Sequence, residues 1–497
     1  MPYYVTTAIN YVNAVPHLGH AYEAITADVM ARNARARGEE TFFLTGTDEH
    51  GEPVALAAAA EGVAPLELAD RNAARFRALT ATLEISNDFF IRTTDAGHIV
   101  RVQEILQRVH DAGHVYLGTY EGWYCPRCAD FKTEAEMAPD YHCAIHGIPL
   151  DRESEENWFF RLSAFQERLE ALFDGQPDFV MPRHAYNEAR SFLAGGLTDV
   201  SLTRKTLTWG IDVPWDDGHV FYVWFDALLN YVTALGYARD GEDLTARFWP
   251  ASFHVIGKDI LKFHAIYWPA LLLAADLEPP RHVYVHGFLL GPDGEKMSKS
   301  RGNVLDPFDV VGEFGPDVLR HYLLREVSSG QDGPVSLDGV RTRYETELAN
   351  EYGNLASRTL NMLRRYCDGR VAAVALDEQL GGDFAGLAMR VDGLLDRAEL
   401  SSALDEIWRL VRRLNRYVEE QAPWQLARAG DRGAELTRAL ASLAEGLRVV
   451  TVLLNPYMPA KTATLLEALG RPELDQRDYA AEGWGGSVGE LAPLFPK

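Results

Sequence analysis

The chain opens on "YYVTTAI", Tyr3 to Ile9, an apolar and β-branched run that predicts a buried strand. A loop, Asn10 to Pro16, follows it. From Gly19 to Arg37 the apolar positions take helical spacing, with Tyr22, Ile25 and Val29 on one face and Gly38 placed as a stop. "TFFLTGTD", Thr41 to Asp48, predicts the next strand. Strand, loop, helix and strand form a βαβ unit, and repeated units imply a parallel sheet covered by helices. Ligands of such sheets bind beyond the carboxyl ends of the strands. The segment "VPHLGHAY" falls there.

The alternation changes after about Val115. "VYLGTYEGWYCPRCADF" is rich in β-formers and turns, which predicts an inserted domain over 118–215. "HVFYVWFDAL", "SFHVIG" and "HVYVHGFLL" then read as strands that resume the sheet and finish it near Leu290. Beyond Pro307 the pattern is helical. Leu404, Ile407, Trp408, Val411, Leu414 and Val418 fall on one helix face and Arg409, Arg413 and Arg416 on another, as in an α-helical bundle. The expected organisation is a doubly wound, Rossmann-like α/β domain in two halves (1–117 and 216–290), the 118–215 insert, a connecting region (291–345) and a helical domain (346–497).

Composition narrows the class. A chain of 497 residues with 47% apolar positions has enough core for two to four domains. The net charge of −24 argues only weakly against a polyanionic partner, because local basic patches decide such binding. The N-terminus has no basic leader, and no run reaches the ~18 apolar residues of a membrane span. A soluble, cytoplasmic protein is expected. Four cysteines do not make a disulfide scaffold in so long a chain, and three of them crowd between Cys125 and Cys143. Cys125, Cys128, Cys143 and His146 form Cys-x2-Cys, fourteen residues, then Cys-x2-His. Three thiolates and an imidazole suit a closed, structural Zn2+ site, one per chain. Cys367 stands apart in a helical run, where no role is expected of it.

Two loops carry the chemistry. His17, Gly19 and His20 sit at a predicted helix N-terminus, where backbone N–H groups and a partial positive charge favour phosphate. Imidazoles there donate hydrogen bonds without a permanent charge. Two histidines near a turn are an equally good reading of this tetrapeptide alone. In "GEKMSKSRGN", Lys296 and Lys299 flank Ser298 in a glycine-bounded loop, and two flexible ammonium groups can grip a triphosphate. A solvated basic loop is the plain alternative, and the pairing of both motifs in this order makes it weak.

"PHLGH" and "KMSKS" resemble the two signatures of the class I aminoacyl-tRNA synthetases, with Leu18 where isoleucine is common. The leucyl, isoleucyl and valyl members carry a far larger insert, since one methylene gives only ~10–200-fold discrimination without a second sieve. "TAINYVN", "FLTGTDEHG", "HVIGKDI" and the cysteine knuckle, along about Tyr3 to Pro459, are similar to the methionyl branch of that family. A flexible thioether packs well on aromatic rings, and Tyr11, Trp224 and Trp268 supply candidates.

The resemblance implies roles. Ile9, Tyr11, Trp224 and His264 match a methionine pocket, and Asp48 matches the carboxylate that meets the substrate ammonium. His17, Gly19, His20, Lys296, Ser298 and Lys299, with Gly257 and Asp259 at the ribose, match an ATP site that takes Mg2+ with its nucleotide. Arg204 matches a basic residue near the activated carboxylate. Asn354, Arg358 and Trp424 match anticodon-reading positions, with tRNA(Met) as partner; bundle packing and helix capping are the plain alternatives for Trp424 and Asn354. Leu228 departs from the pattern, standing where proline is usual. A monomer is expected. The rival readings are a class I synthetase of another specificity, cysteinyl above all, and a small-molecule nucleotidyltransferase.

Overall fold

The structure, a computed structural model, describes residues 2–126, 130–132, 137–145, 147–295 and 305–496. The chain forms two compact units: Met1–Pro16, Thr41–Ala81 and Asn87–His286 make the first, and His17–Glu40, Thr82–Ser86 and Gly287–Lys497 the second. Helix α1 (Leu18–Ala36) therefore belongs to the second unit, although it follows the first strand in sequence.

The first unit is built on a six-stranded sheet. Its strands are β1 (Tyr3–Tyr11), β2 (Thr41–Asp48), β3 (Phe89–Arg92), β4 (Val180–Met181), β5 (Phe253–Gly257) and β6 (His282–His286), in the order β3-β2-β1-β5-β6-β4. Every pairing is parallel, so the α/β expectation holds. The strand order reverses at β1, between β2 and β5, which is where open α/β sheets place their ligands. The first six residues of β1 and all of β5 are buried, on both faces, which is why neither shows the polar–apolar alternation of a half-exposed strand. A register shift in β1 between Thr6 and Ile9 re-aims the end of the strand, so Ile9 lies opposite Gly46 and Tyr11 opposite Asp48. Gly46 is required there: a Cβ would lie 2.1 Å from the carbonyl oxygen of Ile91.

Two further helices of this unit matter below, α2 (Ala96–Asp111) and α3 (Val223–Thr233). The second corrects the sequence reading. "HVFYVWFDAL" was expected as a strand, yet only Val220–Phe221 is extended and the chain turns helical at Val223. Every residue of α3 is buried, so its apolar run carries no period to separate helix from strand. Leu228, in the usual place of a proline, keeps its backbone N–H and continues this helix within the core.

In and just before the 118–215 span, Val200–Ser201, Asp151–Phe160, Val115–Cys125 and Asp130–Lys132 form an antiparallel sheet in that order, beside the helices Gln166–Gly175 and Arg183–Ala194. The span is not wholly an insert, because β4 lies within it and pairs with β6 at the edge of the parallel sheet. The parallel sheet also ends earlier than Leu290. β6 stops at His286, and Leu289–Leu290 pairs with Gly333–Pro334 in the second unit.

The second unit is helical, with α4 (Pro316–Glu326), α5 (Asn354–Tyr366), α6 (Leu400–Gln421), α7 (Pro423–Ala429) and α8 (Gly433–Leu454). The apolar face read along α6 is buried in full. Its arginine face is largely compensated: Arg413 pairs with Asp383 at 2.6 Å and Glu420 at 3.1 Å, and Arg409 reaches Glu406 at 3.4 Å. Arg320 on α4 is a buried hub. Its guanidinium donates to the carbonyls of Leu83, Pro456 and Tyr457 and pairs with Asp28 of α1 at 2.7 Å. Asp28 also accepts from Ser86 and Arg32. Among the described residues no helix is long and apolar enough to cross a membrane.

Candidate active site at the carboxyl edge of the parallel sheet

Five of the six side chains expected around a thioether substrate are tied together by ring contacts, register or sequence adjacency. Tyr11 stands edge-on to Trp224 at 6.2 Å. Trp224 in turn stacks on Phe263 at 3.7 Å, 6° from parallel. His264 is the next residue, inside a π-helical turn over Phe263–Tyr267, a distortion frequent at functional sites. Asp48 ends β2 opposite Tyr11. Ile9, one strand repeat before Tyr11, points to the same face. Trp268, by contrast, is core: it has no exposure and donates from Nε1 to His254 at 3.1 Å.

His264 accepts from the Tyr231 hydroxyl at Nε2 (2.8 Å) and donates from Nδ1 to the carbonyl of Ile260 (3.0 Å). A carbonyl cannot donate, so Nδ1 carries the proton and Nε2 the lone pair. Burial pushes this imidazole down to about 4, so it is neutral at ordinary pH.

Asp48 is 2% exposed, and its Oδ1 has no hydrogen-bond partner among the described residues. Burial, then the charges of Asp226 and Glu49, push its carboxyl well above the usual range, against a hydrogen bond from the His50 backbone. A buried carboxylate oxygen without a partner is costly unless a cationic ligand completes it. The Trp224 Nε1 also lacks a partner among the described residues.

The neighbours of Asp48 in "GTDEHG" went unread in the sequence. Glu49 is held by both guanidinium arms of Arg92, at 2.7 and 2.8 Å, and by Thr47 at 2.8 Å. His50 Nδ1 lies 2.7 Å from Asp226 Oδ2, and His98 Nε2 lies 2.7 Å from Asp226 Oδ1. Thr233 closes the array at His98 Nδ1, 2.7 Å away. The signal was present, since a lone Asp inside the apolar run "FYVWFDALL" must find partners when buried.

At the end of β5, a Cβ on Gly257 would lie 2.7 Å from Asp259 Oδ1, so that backbone stays bare beside an exposed carboxylate. Arg204 is 3% exposed and already engaged: it pairs with Glu153 at 2.7 Å and Glu155 at 3.0 Å and lies 4.4 Å over the Tyr124 ring.

In the second unit, His17 and His20 make a capping box for α1. The Gly19 N–H donates to His17 Nδ1 and the His17 N–H to His20 Nδ1, both at 3.1 Å. An Nδ1 that accepts puts the ring proton on Nε2. Both histidines thus serve the helix with one nitrogen and carry a donor on the other. A Cβ at Gly19 would meet the His17 ring at 3.0 Å. Lys296, Ser298 and Lys299 lie outside the described residues.

The same unit gathers the other expected contacts. Arg358 on α5 pairs with Glu419 at 2.7 Å, and its guanidinium lies 5.9 Å from the Trp424 ring centroid. Asn354 is exposed one turn earlier and is no helix cap, because the chain is already helical at Gly353.

Cys125 and Cys143 are fully buried in one small cluster with Leu150. The chain reverses after each: Cys125 pairs with Asp130, and Gly147 donates to the Cys143 carbonyl while Cys143 donates to that of Ile148. Cys128 and His146 lie outside the described residues. Cys367 is half-buried at the end of α5, and burial, then Asp368, raise its thiol.

The family model described as tRNA synthetases class I (M) matches residues 3–147 and 132–360. A methionine–tRNA ligase of Rhizobium meliloti is 45% identical over 503 residues, covering 99% of this chain and 96% of its own length. The methionyl-tRNA synthetase of Mycobacterium tuberculosis in complex with methionyl-adenylate superposes with a TM-score of 0.95 at 42% identity, covering all of both chains. The apo form of the Mycobacterium tuberculosis enzyme gives 0.87 at 39% identity, covering all of this chain and 98% of its own. With its sheet, its aromatic edge and its capping histidines set beside these matches, the chain belongs to the methionyl class I tRNA synthetases.

Proposed function

We propose that the protein activates methionine with ATP to methionyl-adenylate and transfers it to the 3′ end of tRNA(Met). The observation that carries this reading is the buried Asp48 Oδ1, left without a hydrogen-bond partner beside the rings of Tyr11 and Trp224. An α-ammonium completes that carboxylate, and the thioether lies against rings and a neutral His264. A cationic imidazole would repel the substrate ammonium and cost burial energy, so neutrality keeps the pocket apolar.

The methionine carboxylate attacks the α-phosphorus in line and pyrophosphate leaves; a terminal ribose hydroxyl of the tRNA then displaces AMP. No protein nucleophile takes part, so positioning and charge stabilisation carry the rate. His17 and His20 lend Nε2–H donors to the charge that grows on phosphate. Lys296 and Lys299 hold the departing pyrophosphate with Ser298. Gly257 and Asp259 take the ribose, and Arg204 acts as a positioning group near the new anhydride, fixed by Glu153 and Glu155. Mg2+ accompanies ATP and screens its charge when bound.

Asn354, Arg358 and Trp424 read the anticodon loop, where bases splay out and stack on aromatic rings. Their spacing within one helical unit supports this. We assign one structural zinc to Cys125, Cys128, Cys143 and His146. The two described thiols are buried together at chain reversals of the kind a zinc knuckle uses, and a closed four-ligand site cross-links the insert without joining the reaction. The protein acts as a cytoplasmic monomer.

The test is exchange of pyrophosphate into ATP with each amino acid in turn. Methionine alone should support it; strong exchange with cysteine or leucine overturns the specificity.

A further inference from the structure

We infer that Asp226 is a positioning residue for methionine: it ties the loop of Asp48 to the helix of Trp224 and adds a second negative charge behind the ammonium subsite. The inference rests on Asp48 as the ammonium partner and goes beyond it.

Three elements meet at this one carboxylate. Asp226 lies on α3, two residues after Trp224. One oxygen accepts from His50, two residues after Asp48; the other accepts from His98 on α2, each at 2.7 Å. Thr233, further along α3, fixes the far side of His98. Asp226 has no exposure, His98 none, and His50 only 4%. The clamp therefore sets the spacing between the carboxylate that ends β2 and the ring that stacks on Phe263.

The charges around Asp48 are unequal. Glu49, beside it, is neutralised by the two-armed contact from Arg92 on β3. Asp226 meets ring nitrogens instead of a guanidinium. Burial alone would push its carboxyl up, but His50 and His98 more than reverse this and hold it below the ordinary value, so it stays ionised. Tyr11 faces Asp48 from β1, and Trp209 stands edge-on to His50. No lysine or arginine among the described residues is paired with either Asp48 or Asp226, whose partners are the rings of His50 and His98. An arriving ammonium thus meets two like charges in a buried place, where attraction is weakly screened. The same crowding makes Asp48 hold a proton more tightly before the ligand comes.

The experiment is equilibrium binding of methionine from pH 5 to 9 to the full-length wild type, D226N and D48N, with the same molecule lacking its α-amino group as control ligand. D226N should weaken methionine about tenfold at neutral pH and leave the deaminated ligand and the KM for ATP within about twofold. It should also move the acid limb of methionine binding to lower pH, because Asp48 then ionises more readily. A folded D226N whose acid limb stays in place, or which loses both ligands equally, overturns the inference. D48N separates the two ideas: if it leaves methionine affinity intact, the ammonium reading itself fails. Should D226N not fold, Thr233→Val loosens His98 while sparing the carboxylate. It should weaken methionine about threefold with the limb unmoved, and unchanged affinity overturns the clamp.

Discussion

The imidazoles of His17 and His20 stack with ring centroids 3.8 Å apart, and each gives its Nδ1 to the backbone at the start of α1. One pair of side chains therefore does two jobs, helix capping and hydrogen-bond donation, and substitution can separate them. In His20→Asn the amide oxygen takes over the cap while the Nε2 donor is lost. Adenylate formation should fall about 10²–10³-fold, with methionine affinity and thermal midpoint nearly unchanged. His20→Ala should lose the same activity and also about 1 kcal/mol of stability, read by denaturant unfolding.

His264 sets a pH dependence of stability. Its folded value of about 4 lies below the unfolded 6.5, so between these the unfolded chain binds the extra proton. Stability should fall as pH drops from 6.5 to 4. His264→Gln, which can still donate to Ile260 and accept from Tyr231, should flatten that slope in unfolding curves taken at each pH.

Asp28 behaves in the opposite sense. Burial would raise its carboxyl, but Arg320, Arg32 and Ser86 together hold it below its ordinary 3.8. The stability it contributes is present above 3.8 and is lost as pH falls through the depressed folded value. Asp28→Asn leaves the buried Arg320 without its counter-charge and should cost about 3–5 kcal/mol at neutral pH. The gap between wild type and variant should close in strong acid.

Trp424 and Arg358 should matter for tRNA and not for activation. Trp424→Ala removes a stacking platform worth about 1–3 kcal/mol per base. Aminoacylation at limiting tRNA should drop about 5–150-fold while pyrophosphate exchange holds. Equal loss in both assays removes these residues from the anticodon site.

Metal analysis should find one zinc per chain, lost in Cys143→Ser. A protein that stays zinc-free when folded would refute the assignment to the knuckle.

The four central strands of the parallel sheet were legible because they are mostly buried and rich in apolar and β-branched residues, as in "TFFLTGTD", whereas the short edge strands Phe89–Arg92 and Val180–Met181 were not. The helix at Val223 was not, since complete burial erases the polar face that reveals a helical period. At the site, "PHLGH" disclosed its histidines, but not that they cap each other's turn, a matter of two backbone N–H groups. Asp48 could be matched, whereas Asp226, His50 and His98 come together only across separations of 176 and 128 residues. A contact that long leaves no spacing to read. Arg204 was expected near chemistry, and its glutamate partners lie some fifty positions upstream, equally silent in the primary structure.

Arg320 gives the helical unit a load path. Its guanidinium grips the turn after α8, through Pro456 and Tyr457, and the middle of α1, through Asp28. A single buried side chain thus ties α1, whose first turn bears His17 and His20, into the same compact unit that carries Arg358 and Trp424.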